Sequence, residues 1–101
     1  MKYKMADNNE VELALNFKLL YALKAKRPDL YEEINKIIMN GAKDIFEFLK
    51  VIYVAYVCAN FNQKELNYPT FNSFFENCDL DIKKVAFTAN SLMSQKKIKN
   101  S

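Results

Sequence analysis

The sequence contains no histidine and no tryptophan, and its only glycine is Gly41. Without histidine, a Ser/His/Asp triad, a Cys/His pair and the usual zinc sites cannot be assembled. A single glycine also excludes the GxGxxG fingerprint and the P-loop, because both need glycine-rich backbone that a phosphate can approach closely. We therefore predict a non-enzymatic protein with no cofactor, no metal ion and no small-molecule substrate.

Glycine and proline, at one and two residues, are too scarce for an all-β protein with many tight turns. Half of the 101 residues are apolar and 14% are aromatic, which is enough to offset the conformational entropy lost on folding. The length suits one domain. The prediction is a mainly α protein, a compact bundle of about five helices that forms a single domain over residues 1–101.

Arginine is almost absent, since Arg27 is the only arginine among 15 basic residues, and the net charge is only +3. Proteins that read nucleic acids usually concentrate positive charge on one element and rely on arginine for bidentate contacts. The 12 acidic residues are spread along the chain, so we predict no nucleic-acid partner. The lysine excess leaves a small nucleic-acid-binding regulator as an alternative function.

Cysteine is also rare, and Cys58 and Cys78 lack the CxxC spacing of a redox or metal motif. We predict that both are free thiols. Residues 1–16 carry several charges where a secretory signal would be apolar, so the expected location is the reducing cytoplasm. The uncharged run at 51–61 is shorter than the roughly 20 residues that cross a bilayer, which argues against a membrane partner.

The first sixteen residues alternate between apolar and polar side chains, in two stretches separated by a polar tripeptide at 7–9. Tyr3 and Met5 belong to the first stretch, and Val11, Leu13 and Leu15 to the second. A period of two predicts strands, so a small β-hairpin is expected over 1–16. A helix over 10–26 is the alternative.

From residue 17 onward the apolar spacing is that of helices. The first helix carries Phe17, Leu20 and Tyr21 on one side, and the second begins at Pro28, a residue suited to the first turn. We predict three longer helices, from 17 to 27, from 28 to 40 and from 42 to 60. A short fourth helix is expected after Thr70, and a fifth begins after a cap at Asp79. Residues 94–101 are expected to form a flexible tail.

The third predicted helix changes character along its length. Its first half is amphipathic, but no charge occurs between Val51 and Phe61, so the second half is apolar on every side. Either this helix is a central post covered by the others, or one face is left for another protein chain. A small domain has few helices to cover it, so we favour the second interpretation. The predicted interaction residues are Tyr53, Val54, Tyr56, Val57 and Phe61.

Aromatic residues recur at helical spacings and without interleaved arginines, which favours core packing over a base-stacking platform. Tyr53 and Tyr56 are the expected exceptions, because phenols on apolar helices often lie in interfaces. The full aromatic set, predicted to be core apart from these two exceptions, is Phe48, Tyr53, Tyr56, Phe61, Phe71, Phe74, Phe75 and Phe87.

The order of these segments resembles the tail assembly chaperones of long-tailed, siphovirus-type phages and prophages of Gram-positive bacteria. The resemblance covers nearly the full chain and rests on order and length, since no single motif is diagnostic. The segments are VELALNF leading into KLLYALKAK, then DLYEEINKII, a break at NG, DIFEFLKVIYVAYVCAN, LNYPTFNSFF, and a last helix from DLDIKKVAF.

The resemblance implies a helical adaptor that coats the tape measure protein and helps to recruit tail tube protein around it. It also implies a protein that self-associates as a homo-oligomer and needs exposed apolar helix surface but no chemistry. A prophage-encoded inhibitor or interaction module with another protein target is a further alternative, and its sequence would look much the same.

Overall fold

A computed structural model describes residues 1–61, 70–79 and 81–94, which form five helices and two short strands. The mainly α fold with a small N-terminal hairpin is confirmed. Residues 95–101, most of the predicted flexible tail, lie outside the described residues. The elements are β1 (Lys2–Lys4), β2 (Glu10–Glu12), α1 (Phe17–Lys26), α2 (Pro28–Asn40), α3 (Ile45–Ala59), α4 (Phe71–Glu76) and α5 (Ile82–Met93).

The N-terminal hairpin pairs β1 and β2 antiparallel, with Tyr3 opposite Val11. Its turn contains Asn8 at a positive φ of 72°, a conformation that asparagine tolerates better than most residues. The alternating side chains Tyr3, Met5, Leu13 and Leu15 are all buried. The alternative of a helix over 10–26 is therefore wrong, because period-two side chains cannot all face one core from a helix.

The hairpin is fixed to the helices by backbone hydrogen bonds. The Ala14 N–H donates to the Ala55 carbonyl of α3 at 3.1 Å, and the Ala6 N–H donates to the Asn77 carbonyl after α4 at 2.9 Å. The Asn77 side-chain amide also donates to Asp7 at 3.0 Å. A two-stranded hairpin is marginal alone, so these contacts and its buried side chains stabilise it.

The helix boundaries follow capping chemistry. The Asn16 side chain accepts the Leu19 N–H at 2.9 Å and starts α1, and Pro28 occupies the first turn of α2. Gly41 ends α2 at a φ of 83°, in the conformation that glycine adopts without strain. The predicted cap at Asp79 is wrong by two residues, since Asp81 accepts the Lys84 N–H at 3.2 Å and starts α5.

The centre of the molecule is α3, which contacts α1, α2, α4, α5 and β2. Val51, Ile52 and Ala55 have no exposed surface, and Val54 and Val57 have none either. The favoured interpretation of an exposed apolar face on this helix is therefore wrong, and the central-post alternative describes the structure. The physical reason is that α5 packs extensively along this helix, and the hairpin covers it beside Ala55.

No helix within the described ranges is long and apolar enough to cross a membrane.

Candidate protein-interaction groove

The five residues predicted to bind another protein do not form a surface. Val54 and Val57 are fully buried, and Tyr53 is 3% exposed. Tyr56 and Phe61 are only partly buried and pack against the same core. A side chain with no accessible surface cannot contact another chain in this conformation, so Tyr53, Val54 and Val57 are core residues and the prediction of an interaction face there is wrong.

The two tyrosines of α3 instead pack against α4. The ring centroids of Tyr53 and Phe74 lie 5.4 Å apart, and those of Tyr56 and Phe74 lie 5.3 Å apart. Phe71 adds an edge contact to Tyr53 at 5.6 Å. Core packing of the aromatic residues is thus confirmed for this cluster, but it is wrong for Phe87, which is 73% exposed.

A gathered exposed apolar surface lies elsewhere, on the pair formed by α1 and α2. Phe17 and Tyr21 on α1 are 71% and 79% exposed, while Ile38 and Met39 on α2 are 41% and 74% exposed. These four side chains line one groove of about 330 Å³ between the two helices. Large apolar side chains gathered in one place are a better indication of a binding surface than scattered ones.

Local sequence explains why the groove forms there. Helices α1 and α2 are joined by Arg27 alone and pack against each other. Positions three, four and seven apart on a helix share a side, so each helix presents one row of residues to the groove. The α1 row is Phe17, Leu20, Tyr21 and Lys24, and the α2 row is Tyr31, Ile34, Asn35, Ile38 and Met39.

The floor of the groove belongs to the hydrophobic core, whereas its walls do not. Ile34 has no exposed surface, and Leu20 is partly buried against the core. Close packing beneath the floor holds its shape. The exposed methionine on one wall is a flexible, polarisable side chain that adapts to different apolar partners. The groove thus combines a closely packed floor with a wall whose methionine can adjust its conformation.

The charge at the groove is positive. Lys24 is the one ionised side chain among the described residues of its lining, and its ammonium lies 5.5 Å from the centre of the Tyr31 ring. Such a cation over an aromatic face is weakly stabilised, by about 0.5–1 kcal/mol at exposed sites. No carboxylate from the described part of the chain belongs to the lining.

Two carboxylates of α2 are already engaged elsewhere. Asp29 accepts two hydrogen bonds from the Arg27 guanidinium at 3.2 and 3.1 Å, and this partner lowers the pKa of Asp29. Glu33 accepts from the Lys50 ammonium of α3. Glu32, three residues before Asn35 on the same side of α2, is the remaining acid near the rim.

The sequence contained a signal for this groove that our prediction did not use. The spacing places Phe17, Leu20 and Tyr21 on one side of the first helix, but it does not show whether that side faces the core. In the structure, Leu23 is the residue of α1 that is fully buried, and Leu19 is partly buried against the core. Helix α1 therefore carries apolar residues in addition to the row that faces the core. The additional residues, Phe17 and Tyr21, form the exposed wall of the groove.

The two thiols are poor candidates for chemistry. Burial raises the pKa of Cys58 to about 12, and burial raises the pKa of Cys78 to about 11, so neither forms the reactive thiolate near neutral pH. Among residues 1–61, 70–79 and 81–94, no three Cys, Asp or Glu side chains are grouped so that they could hold a metal ion.

Comparisons with protein-family models, with curated proteins and with solved structures yield no match to this chain.

Proposed function

We propose that this protein is a non-enzymatic tail assembly chaperone of a long-tailed phage or prophage of a Gram-positive bacterium. In this role it binds the tape measure protein and helps to recruit tail tube subunits around it. The observation that carries the proposal is the groove between α1 and α2, where the exposed side chains Phe17, Tyr21, Ile38 and Met39 are gathered in one place.

An exposed apolar groove between two helices suits such a client. Amphipathic helices bind other proteins by placing one apolar face into a groove of this kind, and the affinity comes from a few anchoring side chains. A long protein that aggregates before assembly exposes apolar helical surface, and covering that surface keeps it in solution. Binding of this type requires no catalytic group.

The proposal includes further elements that the resemblance implies. The protein works in the cytoplasm of the bacterial host, and copies of the chain associate with one another. Phe46 and Ile82 are exposed apolar residues outside the groove lining, and they offer separate surface for self-association or for the tail tube protein.

Co-expression with the tape measure protein tests the proposal. Wild-type protein should increase the soluble fraction of the client, and Tyr21→Glu should remove that increase by placing a charge in the groove. Phe87→Glu is a matched control, because Phe87 is also an aromatic helix residue, is 73% exposed compared with 79% for Tyr21, and lies outside the groove lining. The soluble fraction is measured by centrifugation and gel densitometry.

Two results would contradict the proposal. One is a client that stays insoluble with wild-type protein at every expression ratio. The other is a Tyr21→Glu variant that remains folded by circular dichroism and solubilises the client as well as Phe87→Glu does.

A further inference from the structure

We infer that the groove binds an amphipathic helix whose apolar stripe is bordered by carboxylates. The inference rests on the proposed function, because it names the chemistry of the client segment that enters the groove. It is carried by the charge of the groove together with its length and its helical walls.

The groove wall formed by α1 is mostly apolar, and the charges on this helix are all positive. This helix contains Lys18, Lys24 and Lys26 and no carboxylate, and Lys24 projects into the lining itself. On the α2 side, Asp29 and Glu33 are paired with Arg27 and Lys50, so their charges are largely balanced. A partner that brings carboxylates beside α1 gains attraction, whereas one that brings lysines is repelled.

The negative charge of Glu32 opposes the positive charge of the groove. This residue lies on α2, and neighbouring Lys36 is on the same helix, so the charge of the α2 rim is close to balanced. The asymmetry predicts an orientation: the carboxylates of the bound helix face α1, and its uncharged or basic edge faces α2.

The geometry fits about two turns of helix. The α1 row spans seven residue steps from Phe17 to Lys24, which is about 10 Å at 1.5 Å per residue. A bound helix of that length places side chains at i, i+3 or i+4, and i+7 over the floor. Three apolar anchors and one or two flanking carboxylates therefore define the motif that the groove recognises.

A second copy of the chain matches this motif poorly. The exposed row of α1 in another copy would bring its own lysines onto Lys18 and Lys24. On α2, Leu30, Ile34 and Ile37 are buried, and the exposed residues Ile38 and Met39 already form a wall of the groove in each copy. The net charge of +3 adds to the repulsion between copies, so a client segment is the better occupant.

Two synthetic peptides test the inference. Both peptides are about 18 residues long, carry leucines at i, i+3, i+4 and i+7, and end in a fluorescein label. They differ only in the residues beside the leucines, which are glutamates in one peptide and lysines in the other. Fluorescence anisotropy with the full chain in low salt should show the glutamate peptide binding roughly fivefold to tenfold more tightly, as expected for a few exposed ion pairs. Added salt should reduce the difference.

Charge-reversing variants locate the effect. Lys24→Glu should remove or invert the preference, whereas Lys83→Glu, an equal change of charge on an exposed residue of α5, should preserve it. Tyr21→Glu should weaken both peptides. Circular dichroism confirms that each variant is folded, which is expected because all three positions are at the surface or only partly covered.

Any of three outcomes would overturn the inference: equal binding of both peptides, no binding of either, or Lys24→Glu behaving as Lys83→Glu does. A wild-type oligomer that Tyr21→Glu dissociates in sedimentation would also overturn it, by assigning the groove to a second copy. These failures differ from failure of the proposed function, because client solubilisation by co-expression is measured separately and can persist without a preference for acidic helices.

Discussion

Helices α3 and α1 are both rich in apolar residues, yet they differ in how that surface is used. From Val51 to Cys58, α3 is almost wholly enclosed by its own chain. On α1, only Leu23 is fully buried, and Phe17 and Tyr21 point largely to solvent. The more apolar helix is therefore core, and the less apolar helix offers the surface for a partner.

The comparison shows that apolar content alone does not locate a binding surface. A helix without charges is usually covered on all sides, because the rest of the chain gains most by packing there. A surface available to a partner is found on an amphipathic helix that carries apolar residues in addition to the row facing the core. Four substitutions or conditions test this difference, in order of decreasing effect on stability.

Val57→Glu should have the largest effect. It places a carboxylate at a position with no exposed surface, and an unpaired buried charge costs roughly 4 kcal/mol or more, which is enough to unfold many small domains. Circular dichroism and thermal melting would show a loss of the cooperative transition. A Val57→Glu protein with a normal melting temperature would mean that α3 is accessible after all.

Ile34→Ala should destabilise the protein strongly without unfolding it. Ile34 is fully buried beneath the groove, and truncating a buried isoleucine typically costs about 2–5 kcal/mol through lost burial and a residual cavity. Urea unfolding measures the change in the free energy of unfolding. A loss below about 0.5 kcal/mol would indicate that the groove floor is not part of the core.

Alkaline pH should destabilise the enclosed region to a smaller extent. Burial raises the pKa of Cys58 from 9.0 to about 12, so the folded protein keeps this proton in a range where the unfolded chain releases it. The contribution of this buried thiol to the free energy of unfolding is therefore fully present below about pH 9. It is lost as pH rises toward 12, and the loss is on the order of 1–2 kcal/mol at about pH 10.5.

Urea unfolding between about pH 8 and 10.5 measures this dependence, and Cys58→Ala should make it shallower. Some dependence should persist in that variant, because burial also raises the pKa of Cys78 to about 11 and the pKa of Tyr3 to about 12. An unchanged slope in Cys58→Ala would show that the thiol is accessible to solvent in the folded state.

Tyr21→Glu should have the smallest effect on stability, within about 0.5 kcal/mol, because Tyr21 is 79% exposed. The same substitution is expected to abolish client solubilisation. Thermal melting alongside the co-expression assay separates these two readouts. A large loss of stability would assign Tyr21 to the fold and would remove the contrast between α1 and α3.

The sequence predicted the fold well where local chemistry determines it. Alternating Tyr3, Met5, Leu13 and Leu15 indicated the hairpin, and Pro28 and Gly41 marked the limits of α2. The arrangement of the helices could not be obtained in this way, because coverage of α3 depends on contacts between distant segments. Ala14 bonded to Ala55 is one such contact.

The interaction site was predicted on the wrong helix for the same reason. Periodicity shows that Val54 and Val57 share an apolar helix, but it does not show how many elements surround that helix. The groove on α1 and α2 required knowing which of two apolar rows faces inward. Only tertiary packing distinguishes the row of Leu19 and Leu23 from the row of Phe17 and Tyr21.

The position of α5 after the other described elements has a consequence during synthesis. The hairpin is held partly by Asn77, and the Lys84 ammonium donates to the Lys4 carbonyl at 2.9 Å, so the hairpin acquires both of these contacts only after α5 has been synthesised. Until α5 emerges from the ribosome, the flank of α3 that it covers lies open to water. A protein proposed to shield another chain from aggregation is thus itself vulnerable to it while being made.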